Sequence, residues 1–243
     1  MRQPAENLEH TVAILMQKME RRFFGKYRGL VIDNDDPEKL GRLKVCVPSV
    51  LGADVVTGWA MPCVPFGGAP NQGVLFVPEI NAGVWIEFEE GDLEFPVWVG
   101  TFWSKPGGES ELPRPNEVDG AEQSTVQDPP TRKIIKTTAG HTIQFEDADG
   151  DEMILIVDGV NGHVFVLNAD GIKMIDGVNG HEVTLNADGI SMTDGVTIGN
   201  AMSMESDTVK IDSAGDIRIR GTNITIEAAG RLAAIGNPVH LCP

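Results

Sequence analysis

The side chains best suited to chemistry lie at the end of the chain. His240 and Cys242 stand two residues apart in Asn237-Pro238-Val239-His240-Leu241-Cys242-Pro243, so in an extended strand both project to the same side. Imidazole and thiolate are soft donors of the kind that hold zinc or iron. Further back, His163 and His181 occupy matching places in a repeat, beside recurring Asp-Gly steps. Calcium-binding nonapeptide repeats need Gly-Gly-x-Gly-x-Asp; this chain has Asn-Gly-His instead, where Asp-Gly reads as an ordinary turn and the histidines as turn or surface residues. The acidic pairs Glu89 with Glu90 and Asp147 with Asp149 also fall in turn-like segments, where solvated carboxylates are the default. Neither a Gly-x-Ser-x-Gly elbow nor a His-Glu-x-x-His pair is present. These residues predict a protein that is not an enzyme and carries no cofactor, with a tip metal as the one candidate.

The elements that would position them follow from a repeat. Residues 158–175 and 176–193 are consecutive 18-residue units that match at 13 of 18 positions, and a weaker third opens at Asp194-Gly195-Val196. A unit this small cannot bury its own apolar face and must stack on its neighbours. Within each unit the residues alternate. Phe165 and Leu167, then Val183 and Leu185, are apolar, whereas Val164 and Val166 of the first unit become Glu182 and Thr184 in the second and are expected to face outward. Ile172 and Met174 match Ile190 and Met192, with Lys173 and Ser191 between them. The register continues through Met202 and Met204, Val209 and Ile211, Ile217 and Ile219, and Ile224 and Ile226. Asn168-Ala169-Asp170-Gly171 and Asn186-Ala187-Asp188-Gly189 read as turns. The spacing predicts a rod over residues 133–236 whose strands have one apolar face and open edges, a surface that needs covering. Self-association of three copies meets that need, with the apolar faces converging on an axis. Five or six large side chains per repeat per chain would contribute on the order of 10 kcal/mol per layer before entropy.

Composition narrows the function classes. The chain has 243 residues, with 36 acidic against 19 basic side chains and a net charge of −17. Such a surface repels phosphate backbones, so no nucleic-acid partner is expected. Cys46, Cys63 and Cys242 are too few and too scattered for a disulfide framework. No signal peptide is evident, and nothing approaches the roughly 20 apolar residues of a membrane-spanning helix. The protein is expected to be made in the cytoplasm.

Upstream of the rod, Leu8, Val12, Leu15, Met16, Met19 and Phe23 recur at helical steps over residues 5–24, and Gly25 ends the pattern. This helix either packs on its own domain or forms an arm that docks onto a partner. Over residues 27–103 the period changes. Short runs at 27–32, 42–48, 73–78, 83–89 and 96–102, bounded by Gly, Pro, Asn and Asp, predict five strands and a small closed barrel of the OB type. Residues 104–132 are rich in proline, glycine and polar residues and read as a linker.

Val31-x-Asp33-x-x-Asp36-Pro37-x-x-x-Gly41-Arg42-Leu43-Lys44-Val45, then Trp59-Ala60, Ala82-Gly83, Phe88-Glu89-x-Gly91-Asp92 and Pro96-Val97-Trp98-Val99-Gly100, resemble the OB domain of the phage baseplate spike family. That family includes baseplate assembly protein V, the cell-puncturing spike of T-even phages and the VgrG proteins of contractile injection systems. Residues 140–147, Gly-His-Thr-Ile-Gln-Phe-Glu-Asp, look like the customary opening of its spike. The resemblance implies an all-β protein in five parts: an N-terminal helical arm (1–26), an OB-fold domain (27–103), a linker (104–132), an intertwined trimeric triple-stranded β-helix (133–236) and a tip (237–243). It implies a homotrimeric central spike at the hub of a contractile tail, bound to a ring-shaped hub protein at the OB end and piercing the target cell envelope mechanically. The particle would be a phage virion baseplate or an extracellular contractile assembly. No lysozyme domain lies between barrel and rod, so muramidase activity does not carry over. Some relatives bind iron at the tip through His-x-His; this chain has Cys242 at the second position, and three copies would present six donors from His240 and Cys242. Residues 237–241, Asn-Pro-Val-His-Leu, resemble more closely the blunt ends that carry a separate PAAR-type tip protein, making Asn237, Pro238, Val239, His240 and Leu241 its expected contacts. A rival reading makes the OB fold a glycan- or receptor-binding module on a β-helical stalk.

Overall fold

Alternation of apolar and polar residues dictates strands through most of the chain, and the computed structural model is accordingly mostly β. It describes residues 8, 10–14, 16, 22–126, 130–195, 200–205, 207–233 and 235–236. The chain divides into two compact units, residues 1–112 and 113–243.

The first unit holds β1 (Tyr27–Asp33), β2 (Lys44–Cys46), β3 (Met61–Pro62), β4 (Gly83–Phe88) and β5 (Pro96–Thr101). Their order is β2-β1-β4-β5-β3, with β3 parallel to β5 and the other pairs antiparallel. Leu43 and Ala60 exchange both backbone hydrogen bonds, at 3.1 and 2.7 Å, and Thr57 donates to Val45 at 2.9 Å. Residues 57–60 thus run beside 43–45 and curl the sheet into an OB-like barrel. Val31, Val45, Val84, Ile86, Phe88 and Trp98 fill it. Burying each such side chain contributes about 1.5–3 kcal/mol.

Two sequence expectations are corrected here. Residues 74–79 form no strand, and Leu75 and Phe76 are exposed. The third strand is the two-residue β3 instead, whose pairing with β5 is non-local and too short to leave a periodic signal. Nor does the helical pattern reach residue 24. The described helical residues are 8, 10–14 and 16, whereas Phe23 donates its backbone N–H to Gly91 and packs edge-on against Tyr27 and Phe88. Phe23 belongs to the barrel.

The Asp36-Pro37 turn is held by its own carboxylate. Asp36 is buried and accepts hydrogen bonds from the backbone of Glu38, Leu40 and Arg42 and a forked pair from the Arg42 guanidinium, the shortest 2.7 Å. The Arg42 side chain, helped by those amides, holds the Asp36 carboxyl well below the ordinary carboxylate range. A depressed folded-state pKa adds stability above the unfolded value near 4 and loses it as pH falls towards the folded value. Asp36→Asn is expected to lower barrel melting by about 10 °C at neutral pH. In melts at stepped pH, the gap to wild type should narrow below about pH 4; a gap constant down to pH 2 would contradict the ionic role.

The second unit is a nine-stranded antiparallel meander: β6 (Arg132–Lys136), β7 (Thr142–Glu146), β8 (Met153–Val157), β9 (Val164–Asn168), β10 (Gly171–Ile175), β11 (Glu182–Asn186), β12 (Gly189–Thr193), β13 (Ala201–Glu205) and β14 (Thr208–Asp212). Each strand pairs with its sequence neighbours, so among the described residues β6 and β14 form the two edges of this sheet. The chain itself therefore satisfies most of the backbone edges that the sequence left open. Among the described residues, ladder pairing ends at Asp212; Ile217, Ile219, Ile224 and Ile226 keep the alternation but are exposed and lie in no strand.

Residues 115–123, within the segment read as linker, form a small hairpin against the sheet. Gln123 donates to Pro115, and Asn116 bridges Glu122. The fully buried Gln144 of β7 extends its amide to the hairpin backbone as another strand would, accepting from Asn116 N–H at 2.9 Å and donating to its carbonyl at 3.1 Å. Lys136 reaches Arg114 O, Asn116 Oδ1 and Glu122 Oε2, while Arg132 joins Gln123 to the buried Glu146. Burial opposes ionisation of Glu146, but hydrogen bonds from Thr131, Arg132 and the Ala148 amide outweigh it and leave its pKa below the ordinary value. Beneath the hairpin sit Leu155, Val157, Val164 and Val166.

Candidate functional site

Of the residues expected to do chemistry, Asn237, Pro238, Val239, His240, Leu241 and Cys242 lie outside the described residues. Among the described residues no three His, Cys, Asp or Glu side chains gather in a way that could hold a metal. Cys46 is buried with its thiol 3.1 Å from Ala53 O, and Cys63 is exposed. Asp147 pairs with Lys133, and Glu89 and Glu90 sit in a short 3-10 turn.

The histidines and Asp-Gly steps serve architecture. Each Asp-Gly-Val-Asn-Gly-His loop closes on itself. Asp158 Oδ1 accepts from Val160 N–H and its Oδ2 from the Asn161 amide, Gly162 donates to Asp158 O, and Asp158 N–H donates to His163 O. Asp176, Val178, Asn179, Gly180 and His181 repeat the pattern. The asparagine amides hold both aspartates below the ordinary carboxylate pKa. His141 Nδ1 lies 3.3 Å from the Gly159 amide and 3.0 Å from Asp158 Oδ1. His163 repeats this with Gly177 and Asp176 at 3.2 and 3.1 Å. Each loop is thereby tied to the next. Backbone meets backbone between loops, because a Cβ on Gly177 would fall 2.2 Å from Gly162 O and one on Gly195 2.1 Å from Gly180 O. That contact explains the recurring glycines better than calcium does.

The largest functional candidate is a face rather than a pocket. Ile135, Ile143, Ile156, Phe165, Met174, Val183, Met192, Met202 and Ile211 stand opposite one another across all nine strands. A second row, Phe145, Ile154, Leu167, Ile172, Leu185, Ile190, Met204 and Val209, runs beside it. Alternation in the sequence predicts this face, and the register aligns it. It is incompletely covered within the chain: Met174 is 45 % and Met192 48 % exposed. Part of it is concave, a groove of about 1030 Å³ whose lining includes Met174, Val183, Met192, Met202, Ile211 and Ile217. A continuous apolar surface of this extent marks an interaction site.

On the barrel, Trp85 and Phe102 pack on each other with ring centres 5.1 Å apart, the Arg28 guanidinium lies 5.6 and 5.4 Å from them, and Lys44 lies 4.6 Å from the Trp59 ring centre. The hairpin was missed by the sequence reading. Its signals were the Asp119-Gly120 turn and the apolar Val164 and Val166, where the next unit has Glu182 and Thr184.

The chain thus combines a curled five-stranded, OB-like barrel with a second unit built on a nine-stranded antiparallel sheet. Residues 27–103 match the family model of the type VI secretion system/phage-baseplate injector OB domain, the span that carries the motifs quoted above. The match supports the baseplate spike and OB-fold family and, with it, a structural role in a baseplate or secretion particle. No curated protein matches the chain. No described helix is long and apolar enough to cross a membrane.

Proposed function

We propose that this chain is a non-enzymatic central spike of a contractile tail or injection system, assembled from three copies. The observation that carries the reading is the pair of apolar rows running the length of the shaft sheet. On a lone chain they face water; with three sheets facing inward, both rows become a common core. Since β6–β14 already pair within one chain, each copy contributes one wall of a three-sided β-helical prism. Burying each large side chain contributes about 1.5–3 kcal/mol, and the rows supply many in every copy. The resulting rod is stiff, as transmission of thrust through an envelope requires.

The barrels form the base and meet a ring-shaped hub protein, with the exposed helical residues near the N-terminus as a docking arm. Residues 237–241 carry a PAAR-type tip protein, while a metal on His240 and Cys242 is the lesser option. The particle is a virion baseplate or an extracellular contractile machine, and it engages the target envelope only transiently.

Native mass spectrometry of the full chain is expected to give a species three times the 26.2 kDa chain mass. A well-folded single chain at micromolar concentration would remove the shaft architecture and the piercing role together.

A further inference from the structure

The outer face of the shaft sheet changes character part-way along. One cross-strand row reads Ile134, Gln144, Leu155, Val166 and then Lys173, Thr184, Ser191, Ser203, Lys210. Its first four members lie on β6–β9, where the hairpin 115–123 attaches; the rest are a polar surface. Gly120 of the hairpin sits so close to the sheet that a Cβ there would fall 2.7 Å from Val164 Cγ2. Every buried polar side chain in this layer among the described residues has a hydrogen-bond partner. The strands β6–β9 plus the hairpin are thus two layers thick with a buried core, whereas β10–β14 form a single layer.

We propose that the hairpin 115–123 is an in-chain starter for the shaft: it completes a nucleus with β6–β9 that orders within one chain, and β10–β14 add to it afterwards. A single sheet with one wet apolar face is marginal alone, whereas two layers around a core are not. The starter also solves a problem the repeat creates. Units matching at 13 of 18 positions, with near-identical loops and inward rows, offer alternative registers. The hairpin fits the first unit best: over the second it would press on Glu182 and Thr184 in place of Val164 and Val166, stripping water from the Lys173–Glu182 ion pair at a desolvation cost that two valines do not carry. Repeat arrays need an atypical first unit to begin and end cleanly, and the hairpin makes one.

The test is refolding of the full chain from denaturant with pulsed hydrogen exchange read by mass spectrometry. Peptides from 113–126 and 132–168 are expected to gain protection together, at a rate independent of chain concentration. Peptides from 171–212 should follow, at a rate that rises with concentration; this second half rests on the three-copy reading. V164E/V166T, which copies the second unit into the first, should slow the early phase by about tenfold or more, while Thr184→Val leaves it unchanged. Protection of all peptides in one concentration-dependent phase, or an early phase indifferent to V164E/V166T, would overturn the starter. If that variant aggregates, the order of protection in the wild type decides. An early phase intact in a chain that never associates would keep the starter and remove the trimer.

Discussion

Phe165→Asp is expected to turn the three-copy assembly into single or aggregated chains. Phe165 lies mid-row on the apolar face, between Ile156 and Met174. If three sheets converge there, the substitution places three carboxylates in a dry interior, at roughly 3–5 kcal/mol for each unpaired charge, besides the lost burial of about 2–3 kcal/mol per ring. No assembly of this size absorbs that in one layer. If the face meets water instead, one chain loses only the partial burial of a single ring, about 1–2 kcal/mol, and the aspartate stays solvated. The two readings differ several-fold, and native mass with thermal melting separates them. Thr184→Asp, on the outer face, is the control and should keep both the mass and the melt. Retention of the assembled mass by Phe165→Asp would sink the converging-face argument.

Gly189→Ala is expected to lower the shaft melt by more than about 10 °C. Gly189 has φ +132°, and a Cβ would stand 1.8 Å from Met204 O, a backbone atom that cannot rotate away. β12 and β13 would have to separate, breaking their ladder. Backbone strain and overpacking together cost roughly 3 kcal/mol or more per chain, and an assembly would feel it in every copy. Gly171 faces Leu185 O in the same way at 2.1 Å, so Gly171→Ala should behave alike. Gly215→Ala is the control, because no atom lies within 4 Å of its Cβ position. Equal melts for Gly189→Ala and Gly215→Ala would mean that the sheet edge is looser than the register implies.

Much of this fold was legible because its signals are local. Period two across Phe165 and Leu167 and across Val183 and Leu185 placed these residues on one face of the sheet. That face is only partly buried in the chain, and Val164 and Val166, expected to face outward, are the buried ones. Asp36-Pro37 with Gly41 marked a turn that the structure holds by its own carboxylate. What escaped was non-local. β3 is two residues paired with a distant parallel strand, so the more apolar run at 73–78 was taken for a strand in its place. The 115–123 hairpin hid in a proline-rich, polar stretch because its stability comes from Gln144, Lys136 and Arg132, residues of the sheet it covers. Val164 and Val166 pointed to it, being apolar where the second unit is polar, and that exception to the alternation had a cause. The candidate face was legible as a pattern; its continuity across nine strands became evident only from the register.

The stacked loop glycines also bear on how such a molecule changes size over evolutionary time. Because loop meets loop at backbone distance on one border and tight turns abut backbone on the other, a partial insertion would break both borders at once. A whole 18-residue duplication breaks neither. Growth or loss therefore proceeds in quanta of two strands, roughly 9.6 Å of extension each, and neighbouring near-copies such as 158–175 and 176–193 are what one such event leaves behind.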